Sequence, residues 1–188
     1  MARGTLDQRQ VVEAAATMAD ADGLEATTLS ALARELGVRT PSLYKHVDSL
    51  QALHRLLALR AIAELTAAVT EAATGRSGPA AVRASADAWR AYAHAHPGLY
   101  AASGPFSAPS DDAEYVAATD GLLTALQGIL RAWELEGDDA VDAIRGLRAA
   151  IHGFVMLEQS GGFGLPRGID ASFGRMIDTL VTGLGTPH

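Results

Sequence analysis

Apolar residues return every three or four positions along most of this chain, and no segment alternates convincingly with period two. The clearest case lies near the C-terminus. There Phe173, Met176, Ile177, Leu180, Val181 and Leu184 fall at i, i+3, i+4, i+7, i+8 and i+11, which predicts a helix over 170–184. Before it, 161–168 holds four glycines and a proline and reads as a loop, and 139–160 reads as a helix that is apolar nearly all round in its second half. Further upstream, Tyr115, Thr119, Leu122, Leu126, Ile129 and Trp133 line one side of a helix over 110–135. Val82, Ala86, Trp89, Ala93 and His96 share a face of another, opened by Pro79 and closed by Pro97. A short helix and an irregular stretch fill 97–110. Leu53, Leu56, Leu57, Ile62, Leu65 and Val69 mark a long helix from a capping box at Asp48 and Gln51 to about Ala73, at ~1.5 Å per residue nearly 40 Å of rod. The first helix spans Thr5 or Asp7 to Ala21, with Val11, Ala15, Met18 and Ala19 inward and Asp22-Gly23 as its stop. The fold class is all-α, with about nine helices.

The punctuation between residues 27 and 47 is tighter than elsewhere. Thr28 is placed to cap a helix carrying Leu29, Leu32, Ala33 and Leu36 on one face. Gly37 follows where a left-handed residue ends it. Thr40 then acts as a second cap, with Pro41 in the first helical position. A short helix over 41–46 buries Leu43 and turns Arg39, Thr40, Ser42, Tyr44, Lys45 and His46 outwards. Two short helices about a tight turn, the second polar and basic, form a helix-turn-helix sized for a major groove.

Charge sharpens this picture. The net charge of −7 is unexpected for a nucleic-acid binder, but seven of the 15 basic and seven of the 22 acidic residues lie within 1–60. The whole deficit therefore sits beyond residue 60, while 31–60 alone carries five bases against two acids. A modest basic surface on an acidic body limits indiscriminate binding to phosphates. The chain has no cysteine, which excludes disulfides and thiolate chemistry. Its N-terminus shows no apolar signal core, and the longest charge-poor apolar run, 149–157, is too short to span a bilayer. The expectation is a soluble, cytoplasmic protein with no membrane partner.

Candidate chemistry elsewhere is sparse. His94 and His96 stand at i, i+2, on opposite faces of a helix, and cannot readily share an ion, so no metal or cofactor is expected. There is no phosphate loop, no H-E-x-x-H and no nucleophile elbow, which leaves a small α-helical enzyme as the weaker alternative. Trp89, Tyr92, His96, Tyr100, Phe106, Trp133, His152 and Met156 are the candidates to wall a largely apolar ligand pocket in the body. Ile144, Ile151, Val155, Phe173, Met176, Ile177, Leu180 and Val181, on the last two helices, are the candidates for pairing with a second copy.

The run Thr28-Leu29-x-x-Leu32-Ala33-x-x-Leu36-Gly37-Val38-x-x-Pro41-Ser42-Leu43-Tyr44-x-His46-Val47, followed by Leu53, resembles the DNA-binding head of TetR-family transcriptional repressors. The resemblance implies a head over 1–47, a connecting helix over 48–74, and an effector-binding and dimerisation domain over 75–188. It implies a homodimer on a palindromic double-stranded operator, released by a small-molecule effector. A DNA-binding protein without an effector remains the alternative. Tyr44 and Lys45 are then expected at the phosphate backbone, Arg39, Thr40 and Ser42 near base edges, with Thr28, Pro41 and His46 completing the surface. Many family members carry a phosphate-binding lysine where this chain has Leu50. In the body, His96-Pro97-x-Leu99-Tyr100 and Ile151-His152-Gly153 resemble a subtype named for a Trp-His-Gly motif, with Ile151 in place of the tryptophan.

Overall fold

A computed structural model describes residues 6–104 and 111–185 of the protein. Among them the chain forms nine α-helices and no strand: α1 Gln8–Asp22, α2 Leu29–Glu35, α3 Thr40–Leu43, α4 Leu50–Ala73, α5 Gly78–Ala95, α6 Pro97–Ser103, α7 Ala113–Leu130, α8 Gly137–Gln159 and α9 Ile169–Leu184. Short 3₁₀ turns follow α1 and α7.

Local capping accounts for most boundaries. Asp7 and Gln10 make a reciprocal capping box at α1, with Gln10 N–H 2.7 Å from the Asp7 carboxylate. Thr28 caps α2 as expected, and Gly37 turns the corner at φ 65°. Three expectations need correction. Helix α3, the expected recognition helix, is only four residues long, with Arg39 rather than Thr40 at its N-cap, and 44–46 continue as a turn closed by His46 N–H and Val47 N–H on the Leu43 carbonyl. The cap of α4 is Ser49, whose hydroxyl accepts from Ala52 N–H at 3.0 Å, not Asp48. Helix α7 stops at Leu130, and Glu134 leaves the following 3₁₀ turn in the left-handed region at φ 52°.

Two apolar clusters form, and α4 runs through both. Val11, Ala15, Leu32 and Leu43 from the first three helices, with Val47 from the segment after them, close on Leu53, Leu57 and Ala61 of α4. Ile62, Leu65 and Val69, further along α4, belong to the second cluster with Trp89, Leu122, Leu126, Ile151 and Phe173. Helix α6 is divided between the two: Leu99 packs into the first cluster and Tyr100 into the second. A chain cut at residue 75 therefore leaves part of the head's floor on the body side.

The last two helices divide the residues expected to pair with a second copy. Ile144, Ile151, Val155, Phe173, Ile177 and Val181 are all buried within one chain. They form the inner stripes of α8 and α9 and pack into the second cluster. Met176 and Leu180 are half-buried against the same cluster. The apolar side chains that stay exposed on and beyond α8 are Val141, Met156, Leu157, Phe163 and Leu165, the last 85% exposed. Periodicity identified which face of each helix is apolar, but α8 is apolar on two faces, and the sequence does not say which one a chain covers with itself.

Candidate functional site

The recognition helix is too short to hold itself in place, and its neighbours fix it. Leu43, fully buried, anchors it in the first cluster. Gln8 of α1 donates its amide to the His46 carbonyl at 2.9 Å, tying the far end of the turn. His54 of α4 meets the Thr27 carbonyl at 3.4 Å, just before α2. Pattern reading pointed to neither Gln8 nor His54, because each bridges residues 27 or more positions apart. On the outside, Arg39, Pro41 and Lys45 are exposed and Tyr44 is 54% exposed. Thr40, Ser42 and His46 are half-buried. Thr28 Oγ1 accepts from Ala31 N–H at 3.2 Å and lies 3.2 Å from Ser30 Oγ, so its hydroxyl is occupied by capping α2. The eight residues named from the sequence thus share one end of the molecule, and the charged ones face solvent.

Inside the body, one polar chain crosses the apolar cluster. Trp89 Nε1–H of α5 donates to the Tyr100 hydroxyl at 3.0 Å, and that hydroxyl is hydrogen-bonded to His152 Nδ1 of α8 at 2.8 Å. Burial pushes the Tyr100 phenol up from its ordinary range. Burial, with the Arg148 guanidinium one turn away adding to it, pushes the His152 imidazole down. Tyr92 hydroxyl donates to Glu64 Oε2 at 3.1 Å, and its phenol is raised by burial first and by the Glu64 carboxylate second.

Residues 11–57 match the family model described as bacterial regulatory proteins, tetR family, and residues 82–180 match a tetracyclin repressor-like C-terminal domain. An HTH-type transcriptional regulator of Mycobacterium tuberculosis, Rv0681, itself uncharacterised, is 38% identical over 179 residues, covering 95% of this chain and 82% of that one. The chain belongs to the TetR family. A Rhodococcus sp. RHA1 structure of unknown function superposes with TM-score 0.82 at 27% identity, covering 98% of both chains. A TetR variant from Acinetobacter baumannii AYE, solved in complex with minocycline, has the same fold at TM-score 0.70 and 24% identity, covering 95% of this chain and 96% of that one.

As a TetR-family transcriptional regulator, the protein divides its candidate effector residues unevenly. Trp89, Tyr92 and Tyr100 are buried, and His152 joins them through Tyr100. His96 does not: it caps the end of α5 and turns to Asp20 of α1, with Nδ1 2.8 Å from the carboxylate. Met156 is 46% exposed on the outer face of α8, away from the interior. Phe106 lies outside the described residues. Of the candidates, Trp133 lines an open cleft. That cleft, about 710 Å³, lies between α8, α9 and the turn after α7 and is flanked by Asp139 and Asp142. Among the described residues no group of histidines and acids is arranged to hold a metal ion, and no helix is long and apolar enough to cross a membrane.

Proposed function

We propose that the protein represses transcription as a homodimer on a palindromic operator and releases it when a small, largely apolar effector enters the body. The exposed set Arg39, Tyr44 and Lys45, flanking a short helix anchored by buried Leu43 and tied by Gln8 to the His46 carbonyl, carries the reading of the DNA surface. Two such helices, one per protomer, address successive major grooves about 34 Å apart. Tyr44 and Lys45 contact the phosphate backbone, while Arg39, Thr40 and Ser42 approach base edges. The exposed apolar side chains Val141, Met156 and Leu157 of α8 support pairing of protomers through the last two helices. Minocycline in the similar Acinetobacter protein supports a small-molecule effector. The effector acts by binding one head separation better than another, not by binding tightly to both. An operator is first obtained by selecting bound sequences from a random duplex pool, where an inverted repeat is the expected product. Alanine at both Tyr44 and Lys45 then abolishes retention of that duplex in a gel shift while the dimer survives on a sizing column. Unchanged retention would mean that another surface binds DNA.

One observation favours a second reading, a DNA-binding regulator with no effector. Trp89, Tyr100 and Phe173 are packed in the body, and the Trp89 and Tyr100 polar atoms are satisfied within the chain. Titrating the bound operator complex with a panel of small apolar compounds separates the two, since only the first reading gives release.

A further inference from the structure

Helix α6 is held at both ends and in the middle by different parts of the molecule. At its start, one carboxylate oxygen of Asp20, on α1, accepts from Gly98 N–H at 2.9 Å and Leu99 N–H at 3.0 Å. The other oxygen accepts from His96 Nδ1–H at 2.8 Å. The seating is close: a Cβ added to Gly98 would stand 2.0 Å from the Ala19 carbonyl oxygen, so only glycine lets the two helices meet. Beyond this grip, Leu99 enters the head's core, with Ala102 packed against it. At the other end, Ser103 offers its carbonyl to the Tyr115 hydroxyl of α7 at 3.1 Å. Between the two, Tyr100 joins Trp89 and His152.

We infer that Asp20 is the positioning residue that makes the head follow α6. Any change around Tyr100 that shifts this short rod must carry α1 with it or break all three Asp20 bonds at once. Helix α4 is continuous through both clusters and fixes how far apart head and body lie. The Asp20 grip fixes how the head is turned about that rod. This role rests on the regulator reading only for its consequence at the operator; the geometry stands without DNA.

The test uses the full chain, which has no native cysteine to interfere with labelling. Glu35 of α2 and Asp120 of α7, both exposed, are replaced by spin-labelled cysteines. The labelled protein is diluted into unlabelled chain, so that an assembly carries one labelled protomer, and the head-to-body distance distribution is measured. Asp20→Ala broadens and shifts that distribution. Asp20→Asn, which keeps an oxygen acceptor for the two backbone N–H groups, restores most of it. Gly98→Ala, which pushes α6 off α1 while leaving the carboxylate in place, broadens it as Asp20→Ala does. Helical content by circular dichroism confirms which variants are folded. Distributions in Asp20→Ala and Gly98→Ala that coincide with the parent overturn the inference. A selected operator adds an independent arm: affinity falls about tenfold in Asp20→Ala, equivalent to about 1.4 kcal/mol. A shifted distribution with no DNA binding in any variant, parent included, would refute the operator reading and leave the joint intact.

Discussion

Replacing Glu158 by glutamine removes the negative charge at the junction of α5, α8 and α9, and its cost should depend on pH in a defined direction. Glu158 accepts from Arg90 Nε–H at 2.8 Å and Nη2–H at 2.5 Å, and lies 2.8 Å from His94 Nε2. Arg90 also donates to Asp170 at 2.8 Å and stacks 4.9 Å from the Phe173 ring centroid. The Arg90 and Glu158 side chains are 17% and 12% exposed, so the pair is largely withdrawn from solvent. The Arg90 hydrogen bonds hold the Glu158 carboxyl down from its ordinary 4.5 to about 2, with His94 assisting against the opposing effect of burial. That displacement corresponds to about 3 kcal/mol of stability at neutral pH. Residual solvation lowers the expected cost of the substitution to about 2 kcal/mol. Because the folded value is depressed, the contribution is fully present above about pH 4.5 and is lost as pH falls towards about 2. Arg90 is itself held above its ordinary range and stays charged throughout. Urea unfolding of parent and Glu158→Gln is followed by circular dichroism at fixed protomer concentration, from neutral pH down to about pH 3. The stability gap should close on acidification. A gap that is constant or widens would show that Glu158 acts by shape, not charge.

Three further outcomes follow from the same contacts. Leu43→Ala empties the buried anchor of the recognition helix and should cost about 2–5 kcal/mol, read as loss of operator binding with the body's helical signal retained. Lys45→Ala alone should weaken operator binding and reduce the slope of log affinity against log salt by about one unit, measured by fluorescence anisotropy over a salt series. Glutamate at both Met156 and Leu157, which are 46% and 51% exposed, should leave the protomer folded but shift it to monomer on a sizing column.

The head was legible because its signals are short-range. Thr28, Gly37 and Leu43 each fix a cap, a corner or an anchor within a few residues and behave as the pattern implies, while Pro41 stands one position later in its helix than expected, second after Thr40. The contacts that the sequence left hidden are the ones that cross the fold. Gln8 to His46, His54 to Thr27 and Asp20 to Gly98 are single polar residues on exposed or half-exposed helix faces, where a glutamine, a histidine and an aspartate are ordinary. The body shows the same division. The inner stripes of α8 and α9 were correctly apolar, but periodicity ranks faces by hydrophobicity and cannot tell self-burial from burial against another copy. Within one chain Ile151, Val155, Phe173 and Ile177 are covered while Met156 and Leu157 stay outside.

His96 shows why this matters for function. On a helical projection it belongs with Trp89 and Ala93 and so points to a pocket, yet it is the last residue before Pro97, where the helix ends and φ and ψ depart to −131° and 60°. The change of direction carries its imidazole out of the body and onto Asp20. The same proline starts α6, whose first amides the same carboxylate caps. A proline that ended a helix on the sequence thus does two things in the fold. It removes a histidine from the interior, and it presents the next helix to the head.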